Sequence, residues 1–156
     1  MTENNYEILF EKCISLELAI AEMYTLFAEH TKDDRDFWKK LSLEEENHAE
    51  LLKTGKLITE LGKFPKGMIP ESVTEMDAAL DHVSNAKVSF SQQPDRFYAF
   101  EIAYTIENSI GEAHLQHYLN LKADEQTKEL FKKLNKADID HANRIKQYWD
   151  KLLFND

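Results

Sequence analysis

One cysteine, four glycines and three prolines are all that 156 residues contain of these types, and long apolar runs are missing too. A single thiol, Cys13, cannot close a disulfide within the chain or form a CxxC pair, which excludes thiolate zinc and iron–sulfur sites. Few glycines and prolines leave little to interrupt helices. No stretch approaches a membrane span, and the N-terminal MTENNYEILF lacks the basic start and apolar run of a signal peptide; a cytoplasmic location is the expectation from these absences. Positive charge is also scarce, with 19 Lys and Arg against 29 Asp and Glu, for a net charge of −10. Binding to nucleic acid through a basic patch is thereby excluded.

What remains is a globular composition, 42% hydrophobic and 31% charged, of a size that forms one domain over 1–156. Apolar periodicity predicts four long helices. The first runs from about Glu3 to His30 and the second from Asp33 or Asp34 to Leu61. The third follows Pro94, with Asp95 and Arg96 in its first turn, and runs to about Lys122; the fourth spans about Asp124 to Leu153. Short connections make hairpins of the first and last pairs. Between them, LGKFPKGMIPESVTEMDAALDHVSNAKVSFSQQP is broken by Gly62, Pro65, Gly67 and Pro70, and its SVTEMDAALDHVSNA segment can form a short helix capped by Ser72. A connection this long can run the length of a bundle and bring helix three parallel to helix two. The fold expected is therefore an all-α antiparallel four-helix bundle with one long crossover between helices 2 and 3.

The halves are similar to each other. SLELAIAEMY aligns with TIENSIGEAH, matching Glu17 with Glu107 and Glu22 with Glu112, and EENH aligns with DIDH. Repetition of a helical hairpin accounts for this.

An acid three residues before a histidine is weak by itself, since about one such pair is expected by chance in this composition. Its placement is what matters. At 100° per residue, Glu7, Glu11, Ser15, Glu22, Thr25 and Glu29 share a polar face, whereas Glu17 is the one charge on the stripe Cys13, Glu17, Ile20, Tyr24, Phe27. In LEEENHAELL, Glu46 and Glu50 fall on the wet side with Lys39 and Lys53. Glu45 and His48 fall inside between Leu41 and Leu52, and Glu44 lies at the border. Helix three exposes Glu101, Asn108 and Glu112 and turns Glu107 inward among Ala103, Tyr104, Ile110, Gly111 and His114. In helix four Asp138 and His141 share an arc with Leu134, Ile145 and Trp149. Each helix thus points one carboxylate inward, and two add a histidine one turn later.

Buried carboxylates brought close together need compensation, because desolvation and repulsion both oppose their ionisation. Two divalent cations balance four carboxylates, and oxygen-rich ligation with two imidazoles suits iron or manganese. Spacing of i and i+3 lets one helix offer both ligands.

With these residues the sequence resembles the ferritin-like di-iron carboxylate proteins, on the rubrerythrin-like branch. The resemblance covers all four helices and implies metal ligands Glu17 and Glu107 from single positions, with Glu45–His48 and Asp138–His141 as pairs. It implies two iron ions per chain, with manganese as the variant, and reduction of peroxide by an external electron donor such as a rubredoxin-like protein. Hydrogen peroxide or oxygen would be the oxidant, and the chain would form a homodimer. Ferroxidase activity in iron handling is the neighbouring alternative, and a non-catalytic metal-binding or interaction bundle is the alternative of another class. Three departures stand out: Asp138 is one methylene shorter than the usual glutamate, Ile110 occupies the place of an extra helix-three glutamate, and a rubredoxin module is absent. Tyr24 and Tyr104 face the core near the site, where either can hydrogen-bond a ligand or carry a transient radical, or simply pack. His114 reads as a structural histidine, and His30, His82 and His117 as surface or packing residues.

Overall fold

A computed structural model of the chain describes residues 3–60, 72–108 and 125–154. Side chains are described for 7–57, 72–108, 129, 132, 136 and 139–154. Apart from Thr31, Ser72, Gln93, Pro94, Asp95 and Asn108 these residues are helical, with no strand among them. Five helices follow one another: α1 (Glu3–His30), α2 (Arg35–Glu60), α3 (Val73–Gln92), α4 (Arg96–Glu107) and α5 (Glu125–Phe154). No helix among the described residues is long and apolar enough to cross a membrane.

The hairpin between α1 and α2 is as short as the sequence implies. Thr31 stops α1, its hydroxyl donating 2.8 Å to the Phe27 carbonyl, and a single 3-10 turn over Lys32–Asp34 leads into α2. Close approach of the two helices shows at Ser42, whose hydroxyl donates to the Ala21 carbonyl at 2.8 Å and lies 2.9 Å from the Thr25 hydroxyl. Small polar residues here satisfy one another and let the backbones come near.

Two expectations about the middle of the chain are revised. Ser72 does cap a helix, accepting from the Glu75 amide at 3.1 Å, but α3 continues through KVSFSQ to Gln92 and is a full element of 20 residues. The reason is its apolar stripe: Met76, Val83 and Phe90, spaced by seven, are all buried, so the helix is held along α1 over its whole length. Pro94 then forbids continuation, because the residue before a proline is driven from helical backbone. Two ion pairs fasten α3 to α1, Lys87 to Glu22 at 2.6 Å and Lys12 to Asp77. The third long helix also differs. It starts as expected, with Asp95 accepting from the Tyr98 amide at 2.9 Å, but its regular part ends at Glu107, where Asn108 takes φ −96° and ψ 9°. The expected continuation to Lys122, with Ile110, Gly111, Glu112, His114 and His117, lies outside the described residues, as do residues 61–71 of the middle connection.

The buried apolar side chains among the described residues form one cluster, rich in aromatics. Trp38 sits at its centre, stacked on Tyr24 with ring centroids 5.6 Å apart and packed on Phe100 at 4.5 Å. Phe37 and Phe100 carry the cluster to Tyr148 on α5, at 4.5 and 5.3 Å. Beyond it, Asp34 in the hairpin turn is buried and accepts two 2.6 Å hydrogen bonds from the Arg96 guanidinium at the start of α4. This pair is one of the polar fastenings between the first hairpin and the second half of the chain. Asp34 pushes the Arg96 pKa further up through these hydrogen bonds.

Arg96→Gln leaves a buried carboxylate without its cation and is expected to cost about 3 kcal/mol, the lower end for breaking a buried pair, because the Arg96 side chain is partly exposed. Adding Asp34→Asn should recover at least about 1 kcal/mol, since the two groups interact directly. Urea unfolding of the single and double variants measures both; strictly additive losses would show that the pair contributes nothing as a pair.

Candidate metal centre

Five of the six inward residues are described, and helix geometry buries every one: Glu17 on α1, Glu45 and His48 on α2, Glu107 at the last position of α4, and His141 on α5. Their acidic neighbours Glu7, Glu11, Glu22, Glu29, Glu46, Glu50 and Glu101 are exposed. The side chain of Asp138 lies outside the described part of the structure.

Glu45 is the hub. Its Oε1 lies 2.6 Å from Nδ1 of His141, and its Oε2 lies 2.9 Å from Nδ1 of His48. Neither oxygen makes a hydrogen bond of acceptable angle among the described residues. The two imidazoles stack with centroids 5.0 Å apart and planes 18° from parallel. Around them stand Glu17, with Oε2 3.6 Å from His48 Nδ1, and Glu107, with Oε1 3.8 Å from His141 Nδ1. An ion with bonds of about 2.0–2.2 Å to nitrogen and oxygen holds adjacent ligand atoms about 3 Å apart. Buried acceptor atoms at such distances, close but not aligned on one another, fit that requirement. One ligand atom from each of Glu45, His48 and His141 lies within 4.8 Å of the others, a buried cluster that could hold a metal ion.

The electrostatics follow from burial. Desolvation alone would push Glu45 up, but the close approach of His141 and His48 outweighs it and holds the carboxyl at about 2. Burial pulls His48 down, yet Glu17 and Glu45 prevail and push it up to about 11. Without a metal, then, the chain keeps a proton on His48 as the compensating charge. Glu107 is in an awkward place for a carboxylate, since the C-terminal end of a helix carries partial negative charge. The Tyr24 hydroxyl answers this by donating to Glu107 Oε1 at 2.5 Å. Of the two tyrosines singled out by sequence, Tyr24 reaches the cluster; Tyr104 is half-buried, its ring 6.1 Å from that of Trp149. His30 and His82 are exposed, His30 bonding back to the Leu26 carbonyl at 2.9 Å.

Two residues at the rim escaped the sequence reading. Glu44 contacts Nε2 of His141 at 2.9 Å and pairs with Arg144, which also lies 2.7 Å from Asp140. The border position of Glu44 on the helical wheel was the one available signal. Arg144 follows His141 by three residues on α5, but which acid it meets depends on the helix opposite. Beside them a pocket of about 280 Å³, lined by Glu44, Asn47, Leu51, Asp140 and Arg144, reaches both imidazoles from the surface.

Cys13 is buried, and desolvation raises its thiol far above the ordinary range, so it takes no part as a thiolate. No family model, curated protein or solved structure matches this chain.

A pH dependence follows for the metal-free chain. His48 is raised from an ordinary 6.5 to about 11, so its contribution is complete below about pH 6.5 and is lost as pH rises toward 11. Glu45 is lowered from an ordinary 4.5 to about 2, so its contribution is complete above about pH 4.5 and is lost on acidification. Stability of metal-free protein should therefore peak between about pH 4.5 and 6.5 and fall by up to about 1.4 kcal/mol per pH unit above that. Chemical denaturation from pH 5 to 9 in the presence of a chelator checks this; a flat profile would mean that His48 holds no extra proton.

Proposed function

We propose that the chain is a ferritin-like bundle holding two iron ions, acting as a redox protein that reduces peroxide with electrons from an external donor. The observation that carries this reading is the division of Glu45, with one oxygen beside each histidine. Two ions would be held here, one by Glu17, Glu45 and His48 and the other by Glu45, Glu107 and His141. Asp138, one turn before His141 in the sequence, would supply the fourth carboxylate of a set whose charge two divalent ions would balance. Carboxylate and imidazole donors without thiolate fit iron and equally manganese.

Bound iron would supply two electrons per site to a peroxide. The chain's residues do the rest. Tyr24 keeps Glu107 oriented and neutralises part of its charge. Trp38, Phe27 and Ile20 are fully buried, and with Tyr24 they make an apolar wall that excludes water from the inner side. The pocket beside Glu44 and Arg144 admits a molecule as small as peroxide to the outer side.

Anaerobic ferrous titration should saturate near two per chain. Glu45→Ala and Asp138→Ala should each weaken uptake by at least tenfold, about the scale of a lost ligand or its support, whereas the exposed Glu46→Ala and Glu50→Ala should not. Equal effects of inner and outer acids would sink the assignment, and uptake far beyond two would point to iron storage instead.

Electron supply is the second test. The lone buried Cys13 cannot form a redox disulfide in the chain, and there is no glycine-rich nucleotide loop for NADH. One rapid oxidation per loaded site by peroxide is expected, followed by arrest until a rubredoxin and its reductase are added. Stopped-flow absorbance follows this, and sustained turnover on NADH alone would overturn it.

A further inference from the structure

We infer that Glu44, which is not placed as a ligand, is the positioning residue of the centre, fixing His141 so that its Nδ1 faces the cluster; the inference rests on the metal-binding reading above. Glu44 Oε2 lies 2.9 Å from His141 Nε2, on the side of the ring opposite Glu45. A carboxylate can only accept, whereas a neutral imidazole carries one N–H and one lone pair. Both ring nitrogens face a carboxylate, Glu44 at Nε2 and Glu45 at Nδ1; an ion held between Glu45 and His141 would take the Nδ1 lone pair, and the N–H then left on Nε2 is the one that Glu44 accepts.

Glu44 is itself held. Both its oxygens face the Arg144 guanidinium, at 3.4 Å for Nη1 and closer for Nη2. Arg144 in turn is braced by Asp140 at 2.7 Å, the residue before His141 on the same helix. Glu44 on α2 and the Asp140–His141–Arg144 segment on α5 therefore form a closed loop of contacts across the two helices. The loop sits at the mouth of the pocket, with Glu44 29% exposed and His141 buried. An outward carboxylate paired with arginine needs no metal to be stable there. Its contact with a buried imidazole orients that ring in advance of metal binding.

The test uses zinc ions, which are diamagnetic, on the whole chain. Zinc affinity is measured by competition with a chromophoric chelator for wild type, Glu44→Ala, Glu44→Gln and Arg144→Gln. The imidazole nitrogens of the zinc-loaded proteins are followed by ¹⁵N NMR, and thermal melts without metal check folding. Glu44→Ala is expected to weaken zinc binding about 10- to 100-fold and to remove the hydrogen-bonded Nε2–H signal of His141. Glu44→Gln, whose amide oxygen still accepts, should restore both, and Arg144→Gln should fall between. Unchanged affinity in Glu44→Ala overturns the inference. So does an equal loss in the alanine and glutamine variants with the His141 signal unmoved, because charge near the site would then be acting and not orientation. A wild-type chain that binds neither zinc nor iron overturns the metal reading and this role together; wild-type binding with an indifferent Glu44→Ala overturns this role alone.

Discussion

Three carboxylates from three helices meet in one buried layer, and the surrounding polar structure answers the cost of putting them there. Each ionised carboxylate removed from water costs several kcal/mol even after relaxation. Glu45 is compensated by two imidazoles, Glu107 by the Tyr24 hydroxyl, and Glu17 by its approach to His48. If these helices served only to pack, apolar residues of similar volume at these places would be at least as stable. The acids are concentrated in one layer of a core that is otherwise apolar, with Cys13 before Glu17 along α1 and Ile20 and Phe27 after it. Such concentration is what a bound cation would exploit, because it replaces the proton on His48 by a charge that all three acids can share.

The layer keeps its geometry because rigid neighbours hold it. Tyr24 is clamped by stacking on Trp38 before its hydroxyl reaches Glu107, and Trp38 is in turn packed by Phe27, Phe37 and Phe100. From there Tyr148 links the aromatic cluster to α5, and Asp34 with Arg96 locks the hairpin turn onto α4. Ligands standing on long helices with such support are placed more sharply than ligands on loops. Glu107 is the exception in kind: it ends its helix, and the Tyr24 hydroxyl helps to hold it.

Facing was the most legible property of the sequence. A helix turns by a fixed angle, so Glu17 among Cys13, Ile20, Tyr24 and Phe27 had to be inside, and Glu46 beside Glu45 had to be outside. Both are so in the structure. Helix ends were less legible. Glu107 closes α4 although TIENSIGEAH retains helical periodicity past it, and α3 runs past its expected end because Val83 and Phe90 find α1 to pack on. Partners brought together by the fold were not legible at all. Asp34 and Arg96 are 62 positions apart and Glu44 and Arg144 are 100 apart, and nothing in the local pattern of either pair names the other.

The internal repeat makes a further point about the centre. By sequence, Glu45–His48 and Asp138–His141 are equivalent halves of a two-fold arrangement. In the structure Glu45 serves both histidines, reaching its own helical partner at i+3 and, across the layer, His141. A glutamate can do this because its extra methylene carries the carboxylate far enough from the backbone to stand between two rings. An aspartate on the opposite helix is one carbon shorter and so is less suited to the same span. If two ions are held, Glu45 is the residue that stands between them, and the surroundings of the two histidines differ. The ion beside His141 would depend on Glu107, whose orientation rests on Tyr24, and on His141, whose outer nitrogen rests on Glu44. The ion beside His48 would draw on Glu17 and Glu45, both from the interior of long helices.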